Sequence, residues 1–182
     1  GSLQKPGSSK QVNGWIAGIE FLSGGNSDKT MSFGIIGGAK IGLDSLEYRK
    51  PRAIGEIPSA YFLRPEWDDQ YSTFATDFRP GIGELETWQF DVQSPTREET
   101  ELRFDGIDGV PAEFDVFLID LQRAKSSNLR IESSYKFSTP LKKSEFKVVI
   151  GTKEKVHEVL STLTPKEFAL GNNFPNPFNP TT

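Results

Sequence analysis

The sequence predicts an all-β sandwich, immunoglobulin-like or jelly-roll-like, of about nine or ten strands. Three observations predict it. Residues 85–93 alternate strictly: Trp88, Phe90 and Val92 fall to one side and Thr87, Gln89 and Asp91 to the other. That pattern describes a sheet with one dry and one wet face. Short extended runs recur along the chain, punctuated by Gly and Pro. No 3.6-residue apolar stripe occurs before Gly151.

Taken in order, residues 1–13 are rich in Gly, Ser, Lys and Gln and read as a flexible leader, with Gly1-Ser2 as a cloning scar. Trp15, Ala17, Ile19 and Phe21 share one side of a period-2 repeat. Residues 24–28 punctuate, and residues 31–36 resume the extended pattern. Together they predict a hairpin with a loop of about five residues. Residues 37–58 hold Gly37, Gly38, Gly42, Pro51, Gly55 and Pro58. This is a long irregular connection with a short turn near residues 43–48, and connections of that length are often functional. Residues 59–64 read as a strand that Pro65 ends. Residues 66–80 are a polar stretch carrying Trp67, Asp68, Asp69 and Tyr71, with Asp77 and Arg79 alternating on one face of an extended piece.

After the strand at 85–93 come a short strand at 100–104 and a turn at 105–109. Residues 114–121 are apolar on both faces, as in a central strand. Short extended pieces follow at 129–133 and 135–138, then a last strand at 145–150 closed by Gly151. Residues 153–160 fit a helical turn or a further strand equally well. The predicted organisation is a leader (1–13), a sandwich domain (14–151), a linker (152–164) and an extended Pro/Asn-rich tail (165–182).

Composition narrows the function classes. Hydrophobic residues make up 35% of the 182, and 14 Phe make the core bulky. A domain of this size buries enough surface to fold without staples. The 21 basic and 25 acidic residues are mixed along the chain, so there is no basic stripe for nucleic acid. No apolar run is long enough to span a membrane. The absence of Cys removes disulfides and thiolate chemistry. The single histidine, His157, excludes a multi-histidine metal site, and any Ser-His-Asp triad would have to use it.

The tail reads Thr-Pro-Lys-Glu-Phe-Ala-Leu-Gly-Asn-Asn-Phe-Pro-Asn-Pro-Phe-Asn-Pro-Thr-Thr from Thr164. Pro175, Pro177 and Pro180 remove backbone donors, and the asparagines favour turns. The stretch resembles the opening of the type A C-terminal sorting domain of the type IX secretion (Por secretion) system. Pro165, Phe168 and Leu170 match the lead. Phe174, Pro175, Asn176, Pro177, Phe178, Asn179 and Pro180, with Asn173 before and Thr181-Thr182 after, match the motif. The resemblance implies export from a Bacteroidetes-related bacterium, to the medium or the cell surface. It implies the type IX machinery as partner, through this tail and the missing remainder of the sorting domain.

Residues 33–151 also resemble an accessory domain that precedes such signals, through Phe33-Gly34, Gly42-Leu43-Asp44, Thr76-Asp77-Phe78-Arg79, Trp88-x-Phe90-x-Val92, Leu118-x-Asp120 and Phe146-x-Val148-x-Ile150-Gly151. That resemblance implies architecture and carries no known activity.

Candidate chemistry is sparse, and the chain is expected to be non-catalytic. Trp67, Tyr71 and Tyr61 are candidate ligand contacts, because flat aromatic rings in loops stack on sugars. Trp88 shares a face with Phe90 and Val92 and is expected in the core. Asp68, Asp69 and Asp77 are candidate ligands for a structural Ca²⁺, which takes 6–8 oxygens; ordinary turn-forming Asp is the competing reading. Paired acids such as Glu84/Glu86 only weakly suggest a glycosidase. The expected function is an extracellular interaction or spacer module, with a carbohydrate-binding module as alternative and a hydrolase as a remote one. No cofactor is expected.

Overall fold

The computed structural model describes residues 14–51, 53, 57–96, 99–138 and 143–163. The leader and the sorting-motif residues 174–180 lie outside this set. Eleven strands are found among the described residues, in two sheets. They are β1 (Trp15–Ser23), β2 (Asn26–Ile35), β3 (Ser59–Leu63), β4 (Thr73–Phe74), β5 (Thr76–Arg79), β6 (Leu85–Gln93), β7 (Glu99–Asp105), β8 (Asp115–Asp120), β9 (Lys125–Asn128), β10 (Ser134–Ser138) and β11 (Lys143–Gly151). The first sheet runs β10-β7-β1-β2-β5 and the second β4-β3-β6-β11-β8-β9. Pairing is antiparallel except between β2 and β5. The architecture is an all-β sandwich, as the alternating pattern predicts.

The core lies between the sheets. Alternate residues of β1 (Trp15, Ala17, Ile19, Phe21) and of β6 (Trp88, Phe90, Val92) face inward and are buried. Trp15, Phe33 and Trp88 meet edge-on or tilted, with ring centres 5.1–5.9 Å apart. Phe146 stacks on Phe90 and meets Phe137 edge-on. Trp88 is thus a core residue, as expected. Its indole N–H donates to the Asp77 carbonyl at 3.0 Å, tying β6 in one sheet to β5 in the other.

The β1–β2 loop is shorter than expected. Only Gly24 and Gly25 connect the strands, with φ of 56° and 77°. Two consecutive positive φ values are what a two-residue hairpin needs, and glycine adopts them without penalty. Asn26 to Asp28, read as loop, therefore belong to β2.

Two other segments differ from expectation. Lys125–Asn128 is strand, although Lys-Ser-Ser-Asn carries no apolar signal; it pairs with β8 as an edge. Residues 129–133, expected as extended, form a turn instead. Asn128 organises it: its side chain accepts from the Arg130 N–H, and its carbonyl from those of Ile131 and Glu132. Arg130 then donates to the carbonyls of Val110, Pro111 and Phe114, holding the β7–β8 connection against this turn.

The stretch expected as a linker holds a helix, α1 (Lys153–Ser161). The Thr152 hydroxyl caps it by accepting from the Lys155 N–H. Val156, Val159, Leu160 and Leu163 fall at helical spacing and pack on Phe117, Ile119 and Val149, on the outer face of the second sheet. Among the described residues no helix is long and apolar enough to cross a membrane.

Candidate functional site

The most articulated surface feature grows out of the end of β3. Pro65 stops the strand, and the chain makes a short excursion that returns on itself: the Trp67 N–H donates to the Arg64 carbonyl, and the Arg64 N–H to the Ser72 carbonyl. Arg64, the last residue before the stop, reaches the Asp77 carboxylate through Nε at 3.1 Å and Nη2 at 2.5 Å. Its Nη1 donates to the carbonyls of Leu63 and Gln89. Arg79 approaches Asp77 from the other side at 3.4 Å, pairs with Glu86, and donates to the Thr87 carbonyl at 2.6 Å. The guanidiniums also lie against rings. Arg79 sits 4.5 Å from the centre of Trp88, and Arg64 5.5 Å from that of Trp67. The result is a chain of charges, Arg64–Asp77–Arg79–Glu86, lining a cleft of roughly 350 Å³. Trp67, Ile41, Gly42, Gln89 and the exposed Glu66 also line it.

Asp77 is 1% exposed, and its pairing with Arg79 agrees with their alternation on one extended face. Two guanidiniums against one buried carboxylate leave no room for a divalent cation. Asp68 is committed elsewhere. One carboxylate oxygen accepts from the N–H groups of Gln70 and Tyr71, and the other from Arg49 at 2.6 Å. The Arg49 hydrogen bond, with those two amides, holds the Asp68 carboxyl below its ordinary range. Asp69 is exposed. The Asp68–Asp69–Asp77 calcium expectation is therefore corrected: Asp68 closes its own turn and Asp77 is an internal counter-ion. Among the described residues no three His, Asp or Glu side chains converge as metal ligands.

The three aromatic candidates separate. Trp67 is half-buried. Its ring meets Phe74 edge-on at 5.1 Å and carries Arg64 over one face, so it serves chiefly as a wall of the cleft. Tyr71 is 64% exposed, with Arg49 5.9 Å from its ring centre. The Tyr61 hydroxyl accepts from Gln93 at 3.0 Å. Tyr61 and Tyr71 line neighbouring clefts of roughly 360 and 380 Å³ that share Lys50, Pro51, Ser72 and Thr73. Trp67 lines neither of these clefts.

Sequence reasoning passed over Arg64, Arg49 and Lys50. A signal existed for Arg64: it continues the alternation of Ala60 and Phe62 into the position where the strand stops, so a long cation there reaches back across the sheet. Glu86, weighed with Glu84 as a carboxylate pair, is held by Arg79. His157 is exposed on α1 and does not line the Arg64–Asp77 cleft. No family model matches this chain, and no curated protein or solved structure shows significant similarity to it.

Proposed function

We propose that this chain is a non-catalytic extracellular interaction or spacer module of a protein exported by the type IX secretion system, with residues 165–182 as the opening of its sorting domain. The observation that carries the reading is the tail itself: Pro165, Phe168 and Leu170 followed by the Asn-Phe-Pro-Asn-Pro-Phe-Asn-Pro motif from Asn173. The sandwich supports it in a second way. Arg64, Asp77, Arg79 and Glu86 in the cleft neutralise one another, which suits a rigid spacer better than an acid–base site. The test is location. The full-length parent protein in its own bacterium should reach the medium or cell surface in the wild type. It should accumulate in the periplasm of a strain lacking the type IX translocon. Equal surface delivery in both strains would overturn the export reading.

A second reading, a carbohydrate-binding module, draws on the exposed Tyr71 ring beside the hydroxyl- and amide-lined cleft of Tyr61. Of the two expected stacking residues, Trp67 and Tyr71, it rests on Tyr71, the more exposed. Purified protein incubated with insoluble cellulose, xylan, chitin and peptidoglycan should be retained on one of them. Tyr71→Ala should weaken retention about tenfold without loss of fold. Retention on none, or retention indifferent to Tyr71→Ala, removes this reading.

A further inference from the structure

The second half of the long connection between β2 and β3 pairs with residues 73–75, whereas its first half is held by a pair of carboxylates. The Asp44 side chain gathers the turn, accepting from the N–H groups of Lys40 at 2.8 Å and Leu46 at 2.7 Å. The Glu47 side chain, in a residue only 8% exposed, then joins that turn to the sandwich. One of its oxygens accepts from the Asp44 N–H at 2.8 Å, and the other from the Phe78 N–H of β5 at 3.3 Å. Two further bonds follow the same seam. The Tyr48 N–H donates to the Thr76 hydroxyl, which donates in turn to the Leu46 carbonyl. The same connection supplies Ile41 and Gly42 to the wall of the Arg64–Asp77 cleft, with Gly42 beside the Trp67 indole.

We propose that Asp44 and Glu47 form a proton-sharing latch that pins this connection to β5, and that loss of the shared proton loosens the Ile41–Gly42 wall of the cleft. Glu47 is buried beside Asp44, whose side chain disfavours a second negative charge there. The charged groups facing Glu47 are few. Asp44 is its immediate neighbour, and Lys40 lies beside Asp44. From β5 it meets a backbone amide, while Asp77 and Arg79 of that strand are engaged with Arg64, Glu86 and each other.

The electrostatics agree with the geometry. Burial, and then the hydrogen bond with Asp44, push the Glu47 carboxyl from 4.5 up to about 7. Backbone N–H bonds from Leu46 and Lys40 hold Asp44 below its ordinary range, so Glu47 carries the proton. Glu47 binds its proton more tightly folded than unfolded. Its contribution is therefore whole below 4.5, declines as pH rises from there, and is lost above about 7. The latch is closed on the acid side and open on the alkaline side.

The proposal does not depend on the export reading. Its test follows the Glu47 side-chain carboxyl carbon by NMR in the 182-residue chain, together with amide exchange at Leu46, Tyr48 and Phe78, between about pH 5.5 and 8.5. The carboxyl should titrate near 7. Protection of the three amides, corrected for intrinsic rates, should fall roughly tenfold across that transition. Glu47→Gln should abolish the pH dependence. Asp44→Asn should move the midpoint down toward 4.5. A carboxyl that titrates near its ordinary value, protection that is flat with pH, or an unchanged profile in Glu47→Gln overturns the proposal. If Glu47→Gln does not fold, the wild-type carboxyl titration and the Asp44→Asn midpoint decide it.

Discussion

Replacing Asp77 with alanine should lower the stability of the sandwich by about 3–5 kcal/mol. The side chain is 2% exposed and is the counter-ion of two guanidiniums, whose own side chains are only 11% and 21% exposed. Arg64 would keep its bonds to the Leu63 and Gln89 carbonyls, and Arg79 would keep Glu86. Neither set cancels the buried positive charge that Asp77 now neutralises. A buried cation stripped of its partner costs far more than the net worth of the intact pair. Asp77→Asn should be milder and of the same sign, since it retains a hydrogen-bond acceptor. The midpoint of urea unfolding measures both. A change below about 1 kcal/mol for Asp77→Ala would mean the cluster is solvent-screened and structurally idle. Added Ca²⁺ should leave the wild-type midpoint where it is, because the buried Asp77 carboxylate already faces the Arg64 and Arg79 guanidiniums.

A comparable loss, again about 3–5 kcal/mol, is expected for Asp28→Ala. Asp28 sits in β2 and joins the sheets at their edge. One oxygen accepts from the Ala60 N–H of β3 at 2.8 Å and from Lys50, and the other from the N–H and hydroxyl of Thr30. Alanine would leave a buried amide without a partner and a nearly buried ammonium with only the Thr30 hydroxyl to bond. Lys50→Met should relieve part of the damage in the double variant, because an apolar pair tolerates that site better than a lone charge. The pH dependence has a definite sign. Burial alone would raise the Asp28 carboxyl, but the bonds from Lys50, Ala60 and Thr30 outweigh it and hold it below 3.8. Its stabilisation is therefore present above 3.8 and is lost as pH falls through the lower folded value. The gap between wild type and Asp28→Ala should narrow in acid. A gap independent of pH down to about 2 would show that packing, not charge, is responsible.

Strands that alternate were legible from residues alone. β6 is bounded as the sequence predicts, because Trp88, Phe90 and Val92 cannot face water together. The failures share a cause: the relevant force leaves no apolar trace. β9 is four polar residues held by backbone pairing to β8. Residues 129–133 look extended by composition, yet Asn128 folds them into a turn through bonds that no periodicity reports. The helix α1 had a readable stripe in Val156, Val159, Leu160 and Leu163, but it is short enough to pass for a strand. The site was less legible. Asp68, Asp69 and Asp77 are close in sequence and similar in type, and the chain sends them to a turn, to solvent and to the interior. The partners that decide this, Arg49 and Arg64, are set by the packing of the two sheets and not by local spacing.

The strand order has a consequence for synthesis. β1 has its hairpin partner at once, but its other neighbour is β7, with Gly18 and Asp105 87 residues apart. At ribosomal rates of about 5–20 residues per second, that edge waits roughly 4–17 s for its partner to emerge. During the wait a half-built sheet presents unpaired N–H and C=O groups beside Ile19 and Phe21, the kind of template on which nascent chains join one another. β10 arrives later still, after β7. Yield in a heterologous host should therefore depend on how fast the chain is made and on which holding chaperones are present. A protein comfortably stable once complete can still be lost while its first sheet is open.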